Sequence, residues 1–533
     1  MPITEVPAPH ISAPHISAAH ISAADNSAED MSAEDNSAPV VVPALQRWTA
    51  SSGTLELKDG FRVLWADGLL ESTATQLVAE IAELAGLTGT AASAESAGVG
   101  GGTAAGEFSS GNISAGDILL ALDPALDCGT DNATAAGEGY VLSVGNGVVL
   151  HSRTATGVFW ATRSLLQMLL ASPELPRGNA VDWPNYPVRG FMLDVGRRFS
   201  QVGYLQDMVR YMGWFKLNTF LVHLNDNEIA KDTKRSWDVA QQAFRLESEN
   251  PLLAGLAATD GSYTRAEWDG LEDLAAAHHV NLVPEIDVPA HARSLIKWKP
   301  ELGLNGGDSD MLDLSRPEAT ELVKELFTEF MPWFRGPVVH FGADEYAKDH
   351  EPEYRKFFNE ISAHIRSLGK QPMAWGSLST MANGAGAPET GYNRDVLICA
   401  WNNDWYSGQA AVADGYNVIN TNDDLLYIVP FADYYHGGAL DGRLLFETWE
   451  PHVFGEGKNL YPHHPQLLGA ASALWNDLVL KDYDESVMHG MIEPAFGLLA
   501  QKMWRGVVPG MDYDAFMAGA ETISRWPGRE FLQ

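Results

Sequence analysis

Two adjacent carboxylates follow an apolar run in the stretch VVHFGADEY at 338–346. The run before Asp344 and Glu345 contains β-branched residues and is typical of a strand buried on both faces of a parallel sheet. Acidic side chains do not fit inside such a strand, so we expect both where the chain leaves the sheet. Carboxyl groups at that position could transfer protons to and from a bound substrate.

Polar and aromatic side chains also end several other apolar segments. They are His223, Asn225 and Asp226 after one segment, Glu285, Asp287 and His291 around a second, and Trp375, Trp401, Asn402, Tyr427, Trp475 and Asp477 at or after later ones. Carboxylates suit proton transfer, and aromatic rings suit contact with the C–H faces of sugars. This set therefore points to hydrolysis of a glycosidic bond.

Two other interpretations of the same residues remain open. The two histidines and two of the aspartates could form a metal site, although their spacing matches no metal motif: His223, Asp226, Asp287 and His291. The three tryptophans could instead fill the interior of a barrel. Because hydrolysis by carboxylates needs no metal, we expect neither a metal ion nor another cofactor.

The adjacency of Asp344 and Glu345 bears on the mechanism. Most retaining glycosidases place two carboxyl groups about 5 Å apart across the scissile bond, and inverting enzymes place them further apart. Neighbouring residues of a strand point to opposite sides, so these two cannot face each other across a sugar. Substrate-assisted catalysis fits this arrangement. One carboxyl is the acid, the substrate's own 2-acetamido oxygen attacks C1, and the second carboxylate holds the acetamido group.

Eight apolar segments, most of them separated by helical patterns, must position these side chains. The predicted strands are 188–196, 218–226, 280–288, 338–346, 372–377, 396–402, 416–422 and 469–477. Amphipathic helices are predicted at Tyr204–Trp214, Arg265–Ala277, Glu318–Trp333 and Glu353–Leu368. This alternation predicts an α/β fold, a (β/α)8 TIM barrel over residues 185–533, with its active site at the carboxyl ends of the strands.

A small α/β domain is expected before the barrel, at residues 39–184. Segments 54–65 and 140–151 read as strands, with a GNG hairpin turn at 145–147, and segments 73–85 and 157–170 carry helical periodicity. Residues 87–116 are dominated by Gly, Ala and Ser and are expected to be a flexible insertion. Residues 1–38 contain five-residue repeats such as PHISA and EDNSA and are expected to be a disordered tail.

Composition excludes some classes of partner. The formal net charge of −35 argues against binding nucleic acid or an anionic membrane, and it suits a neutral or cationic ligand or high solubility.

Cys128 and Cys399 are too far apart for a metal or redox motif, so we expect free thiols. No membrane span or signal peptide is recognisable, so a cytoplasmic location is expected. The oligomeric state is not indicated.

Five motifs in this order resemble the family 20 glycoside hydrolases, the β-N-acetylhexosaminidases. They are VRGFMLDVGRR, KLNTFLVHLND, LVPEIDVPAH, HFGADE and ALWND. The segment at 138–169 is similar to the small α/β domain that precedes the barrel in that family. The resemblance covers residues 45 to 505 and implies a retaining, substrate-assisted hydrolase that acts on an oligosaccharide or glycoconjugate with β-linked N-acetylhexosamine.

The resemblance also implies a role for each matching residue. Glu345 is the implied general acid and base, Asp344 orients the acetamido group, and Tyr427 donates a hydrogen bond to its oxygen. A relay that tunes Glu345 is implied for Asp226 and His291. The residues implied to bind the sugar are Arg189, His223, Trp375, Trp401, Trp475 and Asp477.

Several positions depart from the exo-acting members of the family. The second strand runs on as HLNDNEIA without an acidic pair and Trp-Arg, Val429 stands where an aspartate is usual, and Trp475 is followed by Asn and Asp477 where Trp-x-Glu is usual. These features and DLSRPEA at 313–319 are similar to the lacto-N-biosidase branch, which releases a Gal-GlcNAc disaccharide. Arg189 points back to the exo branch. An inactive carbohydrate-binding barrel is the alternative of another class.

Overall fold

The computed structural model describes residues 38–98, 113–229, 234–382 and 391–532. The tail at 1–37 and residues 99–112 of the glycine-rich insertion lie outside the described residues, so the disorder expected of the tail and the flexibility expected of this part of the insertion stay predictions. None of the described helices is both long enough and apolar enough to cross a membrane.

Within the described residues, the first part of the chain contains seven strands and three α-helices. The strands are β1 Arg47–Glu56, β2 Phe61–Trp65, β3 Gly89–Ser93, β4 Asp117–Leu122, β5 Tyr140–Val144, β6 Val148–Ser152 and β7 Glu174–Asp182, and the helices are α1 Glu71–Ala85, α2 Ala135–Glu138 and α3 Ala155–Ala171. The strands form one mixed sheet in the order β1-β7-β5-β6-β4-β2-β3. Helices α1 and α3 pack against each other and against this sheet.

Two expectations for this part have clear outcomes. The hairpin predicted around 145–147 is confirmed, because β5 and β6 pair antiparallel on either side of that turn. The flexible insertion expected at 87–116 is wrong for its first residues, since β3 pairs in parallel with β2 at the edge of the sheet. Four of the five residues of this strand, GTAAS, are half-buried, so small side chains suit it although they carry no strand signal.

The second part contains the remaining strands and helices. The strands are β8 Val188–Asp194, β9 Thr219–His223, β10 Asn225–Asn227, β11 Gln242–Phe244, β12 Leu246–Glu247, β13 Tyr263–Thr264, β14 Asn281–Val288, β15 Val338–Gly342, β16 Gln371–Trp375, β17 Leu397–Ala400, β18 Val418–Asn420, β19 Tyr427–Ile428 and β20 Leu467–Leu474. The helices are α4 Val202–Trp214, α5 Arg265–Ala277, α6 Arg293–Trp298, α7 Pro317–Phe330, α8 Glu351–Ser367, α9 Leu378–Met381, α10 Asn403–Tyr406, α11 Gly408–Ala413, α12 Asp423–Leu426, α13 Gly442–Thr448, α14 Glu485–Trp504 and α15 Tyr513–Thr522.

Eight of these strands close into a barrel. Strands β8, β9, β14, β15, β16, β17, β18 and β20 pair in parallel in that order, and β20 pairs with both β18 and β8. This confirms the predicted (β/α)8 barrel, and each predicted strand segment overlaps one of the eight, although β16 and β20 begin one and two residues earlier than predicted. Most observed strands stop a few residues before the predicted segment does. The polar residues that end those segments therefore lie beyond the sheet, at the carboxyl ends of the strands.

The barrel interior is packed with side chains rather than open. Its buried apolar cluster includes Met192, Leu221, Val283, Met373, Cys399, Ile419 and Ala471. Such filling makes the strands a rigid support for the loops at their ends. Cys399 in this cluster and Cys128 in the first part are both buried and free, as expected.

Candidate active site

Asp344 and Glu345 lie just beyond β15, on a turn with unusual backbone geometry. Gly342, Ala343 and Glu345 have φ angles of +66°, +69° and +48°, a left-handed region that few L-residues adopt. A β-carbon added at Gly342 would lie 1.7 Å from Oδ1 of Asp287, so only glycine fits there. The N–H of Ala343 donates to the last carbonyl of β14 at 2.9 Å. Packing therefore holds a strained turn that sends two neighbouring carboxyl groups into different surroundings.

The two carboxyl groups differ in exposure and in electrostatics. The side chain of Glu345 is 46% exposed, whereas that of Asp344 is 12% exposed. Burial raises the pKa of Asp344 to about 6; His291 opposes this rise and Glu345 adds to it. Oδ1 of Asp344 is buried and accepts no hydrogen bond from any residue that the structure describes. This oxygen can therefore accept a hydrogen bond from a bound molecule.

A chain of contacts joins Glu345 to the end of the second barrel strand. Nε2 of His291 lies 3.3 Å from Oε2 of Glu345, and Nδ1 of His291 lies 2.9 Å from Oδ1 of Asp226. Burial disfavours the charged imidazole, but Asp226 and Asp287 raise the pKa of His291 well above its ordinary value. Burial also disfavours ionised Asp226, yet Arg197 and His291 hold its pKa below the usual range. The structure thus brings together the three residues expected to form a relay, with a cationic imidazole beside Glu345.

Asp287 is a second buried acid at this end of the barrel. Burial and the nearby charge of Asp344 raise its pKa well above the ordinary value, which favours the protonated form. Its backbone N–H donates to the side chain of Asn225 at 2.8 Å, and the amide of Asn225 donates back to the carbonyl of Asp287 at 2.9 Å. These bonds fix the end of β14 against the chain that follows β9.

A pocket of about 820 Å³ opens over these carboxyl groups. This volume is towards the upper end of the roughly 300–1,000 Å³ that small-molecule sites occupy. Its lining residues come from the carboxyl ends of seven of the eight strands and from the loops that follow them: Arg197, Asp226, Asn227, Ile229, Trp237, Asp287, Ala290, His291, Asp310, Met311, Asp344, Glu345, Trp401, Trp405, Asp424, Tyr427, Tyr434, Tyr435, Trp475 and Asp477. Aromatic walls with a few polar groups suit a sugar, which offers C–H faces and hydroxyls.

Three of the expected aromatic residues line this pocket. Trp401 stacks on Trp405, with ring centroids 6.1 Å apart, and Tyr427 packs against Trp475 at 5.7 Å. The indole N–H groups of Trp401 and Trp475 are buried and donate to no described residue. They can therefore donate to a bound molecule. Burial raises the pKa of Tyr427 well above its ordinary value, which keeps the hydroxyl protonated and able to donate.

Arg189 does not lie at the pocket, and its expected contact with a sugar is wrong. As the second residue of β8 it lies at the amino end of the barrel, where it is fully buried. Its guanidinium pairs with Glu138 at 2.5 Å and donates to the carbonyl of Lys216 at 2.8 Å. Since the pocket is at the carboxyl ends of the strands, Arg189 joins α2 to the barrel instead.

Arg197, which the sequence did not single out, is the arginine of the pocket. It follows the same strand by three residues, and its guanidinium lies 2.8 Å from Asp226, 3.1 Å from Asp194 and 3.4 Å from Asp477. Burial opposes its charge, but these three carboxylates raise its pKa above the ordinary value. Asp477 also accepts a hydrogen bond from Tyr434 at 3.1 Å. The sequence could have pointed to Arg197, because this residue stands in the motif LDVGRR just after the end of a predicted barrel strand.

Two more residues expected to touch the sugar lie beneath the pocket. His223 is fully buried, bonds Asp226 at 2.7 Å and packs under Trp475 at 4.9 Å between ring centroids. Trp375 is 1% exposed and donates from Nε1 to Glu285 at 2.5 Å. Neither is among the residues that line the pocket. The alternative that a tryptophan fills the barrel therefore fits Trp375, which is almost fully buried and does not line the pocket.

Groups of acids and histidines here come close enough to hold a cation. Ligand atoms of Asp226, Asp287 and His291 lie within 4.8 Å of one another, as do those of His291, Asp344 and Glu345. Both imidazole nitrogens of His291 already contact carboxylates, so a metal ion would have to displace one of these contacts. As an imidazolium, His291 pairs with Asp226 and with Glu345 without an ion between them.

Residues on the rim of the pocket carried no recognisable signal. Trp237, Asp310, Met311, Trp405, Tyr434 and Tyr435 line it from long loops between the strands. Tyr435 donates to Asp423 at 2.9 Å, and the amide of Asn402 donates to the same carboxylate at 2.7 Å. Loop side chains are placed by tertiary packing, so neither spacing nor periodicity points to them.

Comparison with known families agrees with this geometry. The model of glycosyl hydrolase family 20, catalytic domain, matches residues 186–507, and the model of domain 2 of that family matches residues 38–183. A beta-N-acetylhexosaminidase structure from Streptomyces coelicolor superposes with a TM-score of 0.71 over 91% of this chain and 96% of that chain, at 20% identity. At that identity the likeness shows the shared fold.

Curated relatives include two kinds of enzyme. A Lacto-N-biosidase of Bifidobacterium bifidum is 27% identical over 515 residues, which covers 91% of this chain and 41% of the relative. A Beta-hexosaminidase of Porphyromonas gingivalis is 24% identical over 451 residues, covering 71% of this chain and 54% of the relative. The chain thus spans about half the length of these relatives.

Proposed function

The chain belongs to glycosyl hydrolase family 20, and we propose that it hydrolyses β-linked N-acetylhexosamine glycosides with retention of configuration, using the substrate's own 2-acetamido group. The substrate is an oligosaccharide or glycoconjugate that presents such a sugar. Acidic residues outnumber basic ones in the lining of the pocket, so an anionic ligand would be repelled. A neutral sugar is compatible with this charge.

The unequal setting of two adjacent carboxyl groups carries this proposal. Glu345 is half exposed to the pocket and contacts His291, so it can give a proton to a glycosidic oxygen. Asp344 is buried with an oxygen that accepts no bond from the described residues, so it can accept the acetamido N–H. Both approach the same imidazole nitrogen and therefore lie on one side of the pocket, rather than facing each other across a sugar.

The proposed reaction has two steps. In the first, Glu345 gives its proton to the leaving oxygen as the C1–O bond breaks, while the acetamido oxygen forms a bond to C1. The oxazolinium ion formed carries its positive charge next to ionised Asp344. In the second, water attacks C1 and gives a proton to Glu345, and the bond from the acetamido oxygen to C1 breaks. Two inversions at C1 leave its configuration retained.

The remaining pocket residues take supporting roles in this proposal. Tyr427 donates to the acetamido oxygen and so stabilises the charge that develops as it attacks. Trp401 and Trp475 wall the sugar, and Asp477 with Arg197 offers polar atoms to its hydroxyls. His223 and Trp375 support this layer from below rather than by contact with the sugar.

Release of a disaccharide is the second candidate. A pocket of about 820 Å³ with aromatic residues on its rim has space beyond the immediate surroundings of Asp344 and Glu345. The relative that is similar over 91% of this chain is a Lacto-N-biosidase. These two observations favour binding of Gal-GlcNAc as the glycone, which the enzyme would release as a disaccharide.

Hydrolysis of four aryl β-glycosides tests the proposal: N-acetylglucosaminide, N-acetylgalactosaminide, lacto-N-bioside and glucoside. Wild type is expected to cleave at least one acetamido substrate and not the glucoside, and Glu345→Gln to lose this activity. Turnover of the lacto-N-bioside alone would select the disaccharide candidate. If none of them is cleaved, the alternative of an inactive carbohydrate-binding barrel is favoured instead. Equal turnover of the glucoside would contradict the acetamido mechanism.

A further inference from the structure

We propose that His223 and Glu285, two buried residues outside the pocket, are positioning residues that hold Asp226 against His291 and thereby support proton donation by Glu345. This inference rests on the proposed function. It extends the relay two residues into the barrel interior, where all of the added groups are fully buried. Neither residue lines the pocket, so they act through Asp226.

Asp226 is fixed by contacts to both of its oxygens. Oδ2 accepts from Nε2 of His223 at 2.7 Å and lies 2.8 Å from the guanidinium of Arg197. Oδ1 accepts from the N–H of Asn227 at 2.6 Å and lies 2.9 Å from Nδ1 of His291. Because both oxygens are occupied, the carboxylate cannot rotate while these partners stay in place. The orientation of His291, which contacts Oδ1, thus depends on the partners that hold Oδ2 of Asp226.

The other ring nitrogen of His223 contacts Glu285. Nδ1 of His223 lies 2.8 Å from Oε2 of Glu285, which is an ion-pair distance. Oε1 of Glu285 accepts from Nε1 of Trp375 at 2.5 Å and lies 3.1 Å from Nδ1 of His340. Glu285 is therefore anchored by side chains from three other strands, β9, β15 and β16.

The charges of this buried group fix the protonation of His223. Burial opposes the cationic form, but Glu285 and Asp226 raise the pKa of His223 well above its ordinary value. Burial likewise opposes ionised Glu285, while His340 and His223 lower its pKa. An imidazolium donates from both nitrogens, whereas a neutral imidazole can turn an acceptor nitrogen towards Asp226. Glu285 thereby keeps an N–H directed at Asp226.

A positioning role predicts a selective loss rather than a general one. Misplacement of His291 impairs proton donation by Glu345, which matters most when the leaving group is a poor one. The 2,4-dinitrophenolate ion leaves without protonation, so cleavage of its glycoside needs no acid. The ratio of kcat/KM for the two kinds of substrate therefore separates a positioning effect from loss of folded enzyme.

The test compares kcat/KM for phenyl and 2,4-dinitrophenyl N-acetyl-β-glucosaminides in wild type, Glu285→Gln and His223→Ala. Each variant is expected to lose about 10-fold or more on the phenyl substrate, within the roughly 10²–10⁴-fold that general acid–base catalysis contributes. The loss on the dinitrophenyl substrate is expected to be several times smaller. His223→Gln, whose amide can still donate to Asp226, is expected to recover part of the phenyl activity.

Glu272→Gln is the matched control. Glu272 is also a buried carboxylate that accepts from a tryptophan N–H, that of Trp268 at 3.3 Å, but it lies on α5 away from the pocket. This variant is expected to keep the wild-type ratio between the two substrates. If Glu285→Gln does not fold, Trp375→Phe gives the second measurement, because it removes the N–H donated to Glu285 while keeping an aromatic ring in the interior, and it is expected to show a smaller loss with the same selectivity.

Equal losses on both substrates, or no loss on either, would overturn the positioning role while wild-type turnover upholds the proposed function. Failure of wild type to cleave either substrate would instead overturn the proposed function and the inference with it. The two kinds of failure are therefore distinguishable in a single experiment.

Discussion

Nε2 of His291 lies 3.3 Å from Oε2 of Glu345, at the end of a chain of contacts that begins inside the barrel. The same nitrogen lies 4.0 Å from Oδ2 of Asp344. One imidazolium thus lies near two neighbouring carboxyl groups that the strained turn after β15 places in unequally exposed surroundings. This arrangement lets the two acids take different protonation states at the same pH, as an acid and a charge-stabilising carboxylate must.

The pH dependence of kcat/KM should show an acidic limb set by Asp344. Burial raises the pKa of Asp344 to about 6, so the carboxyl is ionised above that pH and protonated below it. Only the ionised form stabilises the oxazolinium ion, so kcat/KM is expected to fall towards about tenfold per pH unit below pH 6. Initial rates between pH 4 and pH 8 on an aryl N-acetyl-β-glucosaminide measure it, with unfolding followed by circular dichroism. A profile that is flat down to pH 4 would contradict this role.

Gly342→Ala is expected to lower kcat/KM by about 10²-fold, as a displacement of about 1 Å at a catalytic group can. The added β-carbon would meet Oδ1 of Asp287 at 1.7 Å, and φ of +66° already disfavours a side chain. The turn that carries Asp344 and Glu345 must therefore shift. Gly369→Ala is the control, since φ is +86° there and the added carbon meets nothing within 4 Å. A similar activity loss in both variants would indicate backbone strain alone.

Arg197→Lys is expected to lower the thermal unfolding midpoint and to raise KM. The single ammonium group of lysine cannot replace a guanidinium group that contacts Asp226, Asp194 and Asp477, so the expected destabilisation is about 1–3 kcal/mol. Arg198→Lys is the control from the adjacent position. Arg198 donates to the carbonyl of Tyr483 at 2.9 Å and does not line the pocket. If KM of Arg197→Lys were unchanged, a contact between Arg197 and the substrate would be contradicted.

Tyr427→Phe is expected to lower kcat by about 10²–10³-fold with little change in KM, as removal of a donor to a developing charge does. Its ring stays in place, so the packing against Trp475 is preserved. Tyr406→Phe serves as the control, because that buried hydroxyl donates to Asp414 at 2.5 Å and does not line the pocket. If Tyr427→Phe changed KM alone, the hydroxyl would bind the ground state and not the transition state.

The barrel and the centre of its site could be predicted from the sequence because both depend on strand periodicity. Apolar runs ending in polar residues place Asp344, Asp226 and His291 at the same end of a parallel barrel, and the structure brings them into contact. The same rule excludes Arg189, which stands at the start of a strand and therefore at the opposite end. Arg197, just past the end of that strand, satisfies the rule.

Burial depth could not be predicted in the same way. His223 and Trp375 are the last residues of their strands and lie beneath the pocket, whereas Asp226 and Trp401, which come after their strands, line it. Which residue is the last to face inward depends on strand tilt and on the size of neighbouring side chains, which are tertiary properties. The rim residues depend on loop packing for the same reason.

Fluorine substitution in the substrate's acetamido group tests the central claim most directly. Replacing its methyl hydrogens one by one by fluorine withdraws electrons from the carbonyl oxygen that is proposed to attack C1. With 4-methylumbelliferyl N-acetyl-β-glucosaminide and its mono-, di- and trifluoroacetyl analogues, kcat/KM is expected to fall steeply at each step. A rate that is independent of fluorination would contradict an acetamido nucleophile and the roles assigned to Asp344 and Glu345.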